Sequence, residues 1–370
     1  MKYVLDISCL DKYSSGAKQR FLSLYKELIK INKNKIFLII YTDFTNIKKI
    51  FNYPNVFFIK NPFSQDNYIK KSISIIYLFF YTNLKLKKIK AIEYFTLPFF
   101  KIKNCKVVFT IHDLRKIYFS NFFLSKFILK FFYKLFLRKA DNIIVVSKAI
   151  KNEILNYFDN LNISVVYNTI DKSFFDKVSV KDTNAIKKKY NLTNNFLLTV
   201  GHQEKRKNFL RLIYSIHILK NDFPNIMLII VGQKADETEK IKRLIVKLRL
   251  SQNIKIFSNL NDFEVRCFYK LAGLFVFPSI YEGFGIPLLE AMASDLPMVL
   301  SNTEVFREIT QNKYSYFDQY DPLSIANRIK FILLNKSIQK KMIFYGKKRV
   351  KHFTINTQGR KIDNFYNKKI

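Results

Sequence analysis

The chain has 370 residues, a length that suggests two domains, and its hydrophobic fraction of 49% is ordinary for a globular protein. Its 64 Lys and Arg residues against 28 Asp and Glu give a net charge of +36, and such a field attracts nucleic acid, anionic lipid or other polyanions. The charges are spread along the chain, and 38 Phe and 22 Tyr without Trp indicate the bias of an AT-rich genome, so this bias and an anionic membrane surface both remain explanations of the charge.

Cysteine usage and hydropathy exclude several classes of protein. Cys9, Cys105 and Cys267 lie far apart, and no Cys/His cluster accompanies them, so neither a zinc site nor a disulfide framework is indicated. The N-terminus meets an acid at Asp6 and lacks the apolar core of a signal peptide, and no run of about 18 apolar residues predicts a transmembrane helix. We therefore expect a cytoplasmic protein.

The chain opens with the pattern of a nucleotide-binding α/β domain. Tyr3–Ile7 predicts a strand, residues 14–17 form a turn around Gly16, and the amphipathic segment Phe21–Ile31 predicts a helix. Further strands are predicted at Lys35–Tyr41, Val56–Ile59, Ala91–Tyr94, Val107–Thr110 and Ile143–Val146. Their alternation with helical segments predicts a parallel sheet covered on both faces.

A His-Asp pair follows the strand that begins at Val107. Ligands of open α/β sheets bind at the carboxyl ends of strands, which makes His112 a candidate active-site residue. The alternative is structural: Asp113 caps the next helix, and His112 is a core histidine with satisfied hydrogen bonds.

The segment Phe122–Lys139 predicts a helix with two interpretations. Lys126, Lys130, Lys134 and Arg138 are four residues apart, a spacing that drifts by about 40° per step, and the other residues are mainly apolar. One interpretation is a domain helix with solvated lysines. The other is partial insertion into an anionic membrane interface.

A second sheet begins with the strand Phe196–Gly201, and the basic loop His202–Asn208 follows it. Arg206 and Lys207 lie where this strand gives way to a helix, and a diphosphate needs such positive side chains beside helix N–H groups. The alternative is an ordinary basic loop in a basic protein. Later strands are predicted at Ile226–Val231, Ile254–Phe257 and Leu274–Phe277, and helices at Thr238–Arg249 and Asp262–Leu271.

The most informative stretch runs from Ser279 to Asn302. Gly283 and Gly285 allow a tight turn, Pro287 suits the first turn of a helix, and a new strand begins at Met298.

Two carboxylates lie in this unit, Glu282 in the turn and Glu290 in the helix. Free helix N–H groups and a carboxylate together bind polar ligands such as sugar hydroxyls. Taken singly, Glu282 is equally consistent with a loop residue favoured by the helix dipole, and Glu290 with a solvated helix residue.

The combined pattern Pro-Ser-x-Tyr-Glu-Gly-Phe-Gly-x-Pro-x-x-Glu-Ala-Met-Ala, with its two glutamates separated by seven residues, resembles the signature of retaining glycosyltransferases of family 4. The resemblance implies the GT-B fold, in which two Rossmann-like α/β domains have parallel sheets that face each other across a cleft. It also implies that Glu282 contacts the donor sugar, that Glu290 binds the ribose of the nucleotide, and that the backbone at Phe284 and Gly285 lies along the sugar.

The same resemblance assigns four further positions. His112 matches a histidine that reaches the donor sugar, and Gly16 matches a turn near the donor phosphates or the acceptor. Arg206 and Lys207 match a loop that binds the diphosphate, although His202 stands where some relatives carry Arg. We thus predict His112 and Glu282 as catalytic residues, and the donor-binding residues Gly16, Arg206, Lys207, Phe284, Gly285 and Glu290. No Asp-x-Asp motif is present, and we expect neither a metal nor a cofactor.

The predicted domains are an acceptor-binding domain over residues 1–172, a linker over 173–190, and a nucleotide-sugar-binding domain over 191–350. The C-terminal segment 351–370 is expected to contain a helix that crosses back to the first domain.

The resemblance implies a retaining, metal-independent transferase that moves a hexose, most similar to mannose, from a GDP- or UDP-linked donor to a glycan or lipid-linked acceptor in bacterial surface polysaccharide or lipopolysaccharide synthesis. A UDP-sugar-dependent transferase of the same family is the alternative. A polyanion-binding protein and a non-catalytic partner subunit are alternatives of another class, and no specific nucleic acid is expected as a partner. The membrane interpretation of Phe122–Lys139 would place the protein on the inner face of the cytoplasmic membrane.

Overall fold

The structure, a computed structural model, describes residues 2–7, 10, 16–31, 34–40, 44–63, 73, 76–81, 84, 86, 88–95, 104–119, 123–193 and 195–370. Several residues named above, and the side chain of Lys126, lie outside the described part: Cys9, Ser14, Ser15, Tyr41 and Phe122. The chain divides into two compact units, one formed by Met1–Thr169 with Thr354–Ile370 and the other by Ile170–Phe353.

The first unit contains a parallel sheet of seven described strands in the order β3-β2-β1-β4-β5-β6-β7. The strands are β1 Lys2–Asp6, β2 Lys35–Ile40, β3 Val56–Lys60, β4 Ile89–Tyr94, β5 Lys106–Ile111, β6 Asn142–Val145 and β7 Ile163–Val165. Up to residue 155, the helices whose bounds the structure describes are α1 Gly16–Arg20, a π-helical segment Phe21–Tyr25, α2 Lys26–Ile31, α3 Phe44–Ile50, α4 Arg115–Tyr118, α5 Phe123–Lys139 and α6 Lys148–Leu155. Central strand residues such as Val4, Ile92 and Val108 are fully buried, as expected for a sheet covered on both faces.

The second unit contains a parallel sheet in the order β10-β9-β8-β11-β12-β13. Its strands are β8 Leu197–Val200, β9 Leu228–Val231, β10 Ile254–Phe257, β11 Leu274–Phe277, β12 Met298–Ser301 and β13 Ser315–Phe317. Its α-helices are α7 Val180–Tyr190, α8 Phe209–Leu219, α9 Thr238–Lys247, α10 Asp262–Leu271, α11 Ile286–Ala293, α12 Glu304–Thr310, α13 Pro322–Leu334 and α14 Lys336–Arg349. Short 3-10 helices cover Lys172–Phe175, Lys205–Lys207 and Val350–Phe353.

Residues 173–190, which the sequence presented as a linker, belong to the second unit and contain helix α7. A capping box starts this helix, because the Ser179 hydroxyl oxygen accepts from the Asp182 N–H and the Asp182 carboxylate accepts from the Ser179 N–H. At the other end of α7, the Tyr190 hydroxyl donates to Glu264 of α10 at 2.6 Å. The polar composition therefore reflects a capped surface helix and not a free connector.

The last helix, α15 Ile355–Lys369, belongs to the first unit. The Tyr366 hydroxyl donates to the fully buried carboxylate of Glu93 on β4, and the Gln358 side chain accepts from the backbone N–H of Tyr167 at 3.2 Å. These contacts join the C-terminal segment to strands formed by the first half of the chain.

Candidate active site

The carboxyl end of β11 turns into helix α11 through a backbone that requires glycine. Gly285 has φ +88°, the left-handed region, and a Cβ atom there would lie 2.9 Å from a ring carbon of Phe306. Pro287 lies in the first turn of α11, where its missing N–H leaves no hydrogen bond unmade. Both conformation and space therefore fix the turn that holds Glu282.

The Glu282 carboxylate is the centre of a compact charged cluster. Lys207 Nζ lies 2.6 Å and Arg206 Nη1 lies 2.9 Å from Glu282 Oε1, and the Ser279 hydroxyl donates to the same oxygen at 2.9 Å. Arg206 Nε also lies 2.7 Å from a carboxylate oxygen of Glu204. All three contacts to Glu282 use Oε1, so the cations and the serine hold the carboxylate by one edge.

Two cations beside one buried carboxylate decide how the cluster is ionised. Burial alone would raise the pKa of Glu282, but the charges of Arg206 and Lys207 and the hydrogen bonds from Lys207 and Ser279 lower it to about 2. Burial lowers the pKa of Lys207, Glu282 opposes that change, and Arg206 adds to it. The cluster therefore has a firmly ionised Glu282 carboxylate, and its two cations face two carboxylates, Glu282 and Glu204.

Backbone contacts hold the basic loop against the β11 turn. The backbone N–H of Ile280 donates to the Arg206 carbonyl at 2.8 Å. Asn208, which has φ +61°, donates from its side chain to the carbonyls of Pro278 at 3.1 Å and Gln319 at 2.7 Å. The positions of the two cations are thus set by the same loops that position the glutamate.

Glu290 lies on α11 and is 6% exposed. The Tyr269 hydroxyl donates to its Oε2 at 2.8 Å. Burial raises the pKa of Glu290 to about 7, although the Tyr269 hydrogen bond and the charge of Lys207 oppose that change. Glu290 therefore changes its charge near neutral pH, whereas Glu282 does not.

The Phe284 side chain is part of the core of the second unit. It is 3% exposed, and its ring packs edge-on against Phe353 with the centroids 5.7 Å apart. The role that the resemblance gives to Phe284 would therefore involve its backbone.

In the first unit, His112 follows β5 directly. Its two ring nitrogens are buried and have no hydrogen-bond partner within the described part of the chain. Burial, followed by the charges of Arg20 and Arg115, lowers the pKa of His112 to about 3, so the imidazole is neutral at physiological pH. Asp113 accepts a hydrogen bond from the backbone N–H of Arg115, the first residue of α4, at 3.1 Å. The structural interpretation thus fits Asp113, whereas His112 is buried and unsatisfied.

Gly16, the remaining predicted donor-binding residue, begins α1 in the first unit. The structure brings Arg206, Lys207 and Glu282 together in the second unit, with Glu290 and Gly285 on the adjoining helix and turn.

Sequence analysis missed Arg20, a fully buried arginine on α1. Its Nη1 donates to the carbonyls of Val166 and Tyr167 and to the side-chain oxygen of Asn168, at 2.9 to 3.1 Å. Among the described residues, its Nε and Nη2 are buried without a partner. The available signal was a charge on the buried side of a helix, next to Phe21.

Gly232 was also missed. A Cβ at this position would lie 1.9 Å from the carbonyl oxygen of Gly201, so the loops after β8 and β9 approach too closely for any other residue. No signal other than the glycine at the end of a predicted strand could have indicated this contact. Among the described residues, no group of three or more His, Cys, Asp or Glu side chains could hold a metal ion.

Comparison with known protein families identifies the chain. Residues 180–349 match the family described as glycosyl transferases group 1, and residues 84–174 match glycosyltransferase family 4. The chain therefore carries a glycosyl transferases group 1 domain and a glycosyltransferase family 4 domain.

Several relatives are bacterial mannosyltransferases by name. The chain is 30% identical to the O-antigen chain mannosyltransferase RfbU of Salmonella typhimurium over 66% of this chain and 65% of RfbU. It is 28% identical to the serotype-specific mannosyltransferase WbdA of Escherichia coli over 55% of this chain and 26% of WbdA. The chain thus matches just under two thirds of the length of RfbU and about a quarter of WbdA.

A solved structure shows the shared fold. The Anabaena protein HepE, in complex with UDP and glucose, superposes with a TM-score of 0.77 at 15% identity, over 99% of both chains. The predicted GT-B fold, with one parallel sheet in each of two Rossmann-like units, is confirmed. None of the helices that the structure describes is both long and apolar enough to cross a bilayer.

Proposed function

We propose that the protein is a retaining, metal-independent hexosyltransferase that uses a nucleotide-diphosphate sugar and elongates a glycan or lipid-linked acceptor of a bacterial surface polysaccharide. The observation that supports this proposal most strongly is the cluster of Arg206, Lys207 and Glu282 at the carboxyl end of β11. The mannosyltransferase names of RfbU and WbdA favour mannose as the sugar. The UDP held by HepE keeps a UDP-linked donor as the alternative.

Breaking the bond between the sugar and the diphosphate leaves a growing negative charge on the departing phosphate. Arg206 and Lys207 face two carboxylates, Glu282 and Glu204, so the four charges balance. The guanidinium and ammonium groups would act on the phosphate through their fixed positions. Preorganised groups of this kind each lower a barrier by roughly 3–4 kcal/mol. This supports charge stabilisation by side chains and makes a bound metal unnecessary in the proposal.

Glu282 is poorly suited to be a nucleophile. Its pKa near 2 and its contacts with two cations reduce its basicity, and a covalent sugar intermediate would take the partner of Arg206 and Lys207 away. We propose instead that Glu282 accepts hydrogen bonds from donor sugar hydroxyls while it holds the cations in place. Retention would then follow from attack on the same face of the sugar, assisted by the leaving phosphate. Because the pKa of His112 is about 3, its imidazole is neutral at physiological pH and would contact the sugar as a hydrogen-bonding group.

Helix α5 supports a proposal about the acceptor side. Of the α5 side chains that the structure describes, Tyr133, Phe136 and Leu137 are buried, and five large apolar ones are 40–60% exposed. These five form what we call the α5 apolar face: Phe127, Ile128, Phe131, Phe132 and Leu135. Lys130, Lys134 and Arg138 share the helix. Apolar side chains beside cations suit an anionic bilayer, and we propose that this face brings the enzyme to a lipid-linked acceptor.

Calorimetry with GDP, UDP, ADP, GDP-mannose and UDP-glucose tests the donor proposal. Glu290→Gln should abolish binding of the preferred nucleotide. Glu264→Gln is the matched control, because Glu264 also accepts a hydrogen bond from a tyrosine hydroxyl but lies outside the cluster. This variant should bind the nucleotide normally. A folded protein that binds none of these compounds would contradict the proposal, and binding that requires a divalent cation would contradict its metal independence.

A further inference from the structure

Tyr269 on α10 is 1% exposed and directs its hydroxyl at the candidate ribose site. The hydroxyl donates to Glu290 Oε2 at 2.8 Å and has a longer, 3.4 Å contact with the Pro287 carbonyl. A tyrosine hydroxyl has one proton, so the shorter contact to the carboxylate is the stronger hydrogen bond.

Aromatic packing fixes the Tyr269 ring. Phe174 contacts it edge-on with the centroids 5.8 Å apart, and Phe275 of β11 lies 5.6 Å away on a tilted plane. A buried ring held on two sides has little freedom to move its hydroxyl. The oxygen that faces Glu290 is therefore held in place before any ligand arrives.

We propose that Tyr269 is a positioning residue that holds the Glu290 carboxylate by Oε2 and keeps it ionised, so that the carboxylate can accept hydrogen bonds from the ribose diol of the donor. The inference rests on the proposed function, because it names the residue that prepares the nucleotide site. It assigns Tyr269 no contact with the substrate.

The charges around Glu290 make this role measurable. Burial raises the pKa of Glu290 to about 7, and the Tyr269 hydrogen bond opposes burial. Asp262 of α10 and Asp171, which precedes the 3-10 helix 172–175, raise the pKa further, while Lys207 lowers it. Without the tyrosine hydroxyl, the carboxylate would ionise only at a higher pH.

Tyr269→Phe removes the hydroxyl and keeps the ring. The dissociation constant of the preferred nucleotide sugar, measured by calorimetry from pH 6 to 8.5, should follow the ionisation of Glu290. We expect the wild-type affinity to weaken as the pH falls below about 7, and the midpoint to move up by about one pH unit in the variant, since a hydrogen bond and one pKa unit have similar energies. At pH 7 this shift corresponds to binding that is about fivefold weaker. In steady state, KM for the donor should rise while kcat at saturating donor changes little.

Tyr190→Phe is the matched control, because this tyrosine donates to Glu264 and not to Glu290. It should keep the wild-type midpoint, and Glu290→Gln should fail to bind at every pH from 6 to 8.5. Tyr269→Met, which is apolar and has no hydroxyl, repeats the test should the phenylalanine variant be unstable. If wild type binds the nucleotide sugar and both Tyr269 variants keep its pH midpoint, the inference is wrong. If folded wild type binds no nucleotide sugar, the proposed function itself is wrong.

Discussion

Lys207 Nζ and Glu282 Oε1 are 2.6 Å apart, and both side chains are more than nine-tenths buried. The lysine lies in the 3-10 helix after β8 and the glutamate in the turn after β11, two strands that are neighbours in the sheet. The aliphatic part of the Lys207 side chain lies against residue 201. A Cβ on Gly201 would lie 2.8 Å from Lys207 Cε, so a larger residue there would displace the lysine. The ion pair thus joins two loops of the sheet as well as two charges.

Glu282→Gln should destabilise the protein and inactivate it. The change leaves the buried Lys207 without its carboxylate and Arg206 with Glu204 alone, which costs about 3 kcal/mol. Transfer should fall about 100-fold as the cations lose their fixed positions. Urea unfolding at pH 7 measures the first effect. The pKa of Glu282 is about 2 in the folded protein and near 4.5 in the unfolded chain. Its contribution to the free energy of unfolding is therefore present above pH 4.5 and is lost as the pH falls from about 4.5 to about 2. A stability difference between wild type and variant that stays constant down to pH 3 would contradict the ion-pair assignment.

The effect of Glu290→Gln on the free energy of unfolding should depend on pH with the opposite sign. The folded-state pKa of Glu290 is raised to about 7, so between pH 4.5 and 7 the folded protein binds more protons than the unfolded chain. The wild type should therefore lose stability relative to the variant as the pH rises through this window, by on the order of 2 kcal/mol. Unfolding free energies of both proteins at pH 5 and pH 8 measure the change. Equal differences at the two pH values would show that the carboxylate is not buried in its neutral form.

Local sequence patterns were sufficient to predict most strands and helices of the second unit. The strands Ile254–Phe257 and Leu274–Phe277 and the helix Asp262–Leu271 occur at the predicted residues, because short apolar runs and a capped amphipathic segment have clear ends in the sequence. The helix in segment 173–190 was harder to predict, because it buries little more than Ile186 and its composition resembles that of a loop.

Contacts across the chain could not be predicted from local patterns. The loop with Lys207 was predicted to bind a diphosphate and Glu282 to bind a sugar, but their ion pair joins residues 75 positions apart. Arg20 contacts carbonyls about 146 positions away, and its position beside Phe21 does not indicate these partners. Tyr269 was placed on a helix, and only the fold brings its hydroxyl to Glu290.

His112→Leu should separate activity from stability. The imidazole nitrogens are buried without a partner among the described residues, so replacing them with an apolar group should leave the free energy of unfolding unchanged or raise it by about 1 kcal/mol. Sugar transfer should nevertheless fall at least tenfold if the histidine contacts the donor sugar. Thermal unfolding and a transfer assay on the same preparation measure both quantities. A loss of more than about 2 kcal/mol would indicate that His112 has a structural partner.

Gly232→Ala should be strongly destabilising. Its Cβ would lie 1.9 Å from the Gly201 carbonyl oxygen, so the β8 and β9 loops would have to separate, at a cost of about 3 kcal/mol. Gly359→Ala on α15 is the matched control, because its nearest neighbour is a side-chain carbon at 3.5 Å and alanine favours a helix. The control should keep or raise the midpoint of urea unfolding. Similar midpoints for the two variants would contradict the close approach of the two loops.

The α5 apolar face should determine binding to anionic vesicles. Phe127 and Phe131 are 57% and 60% exposed, and transfer of one such ring into a bilayer interface contributes about 1–2 kcal/mol. The double change Phe127→Glu and Phe131→Glu should therefore reduce sedimentation with phosphatidylglycerol vesicles at least tenfold, while nucleotide binding stays normal.

Phe344→Glu on α14 is the control: Phe344 is 62% exposed and also has a lysine, Lys348, over its ring, but it lies in the second unit. Wild type should bind neutral vesicles poorly and lose part of its affinity in high salt, because the cations of α5 contribute through screened attraction. Equal loss in the control would contradict the assignment of binding to the α5 apolar face. Wild type that does not sediment with anionic vesicles would favour genome composition as the origin of the +36 charge.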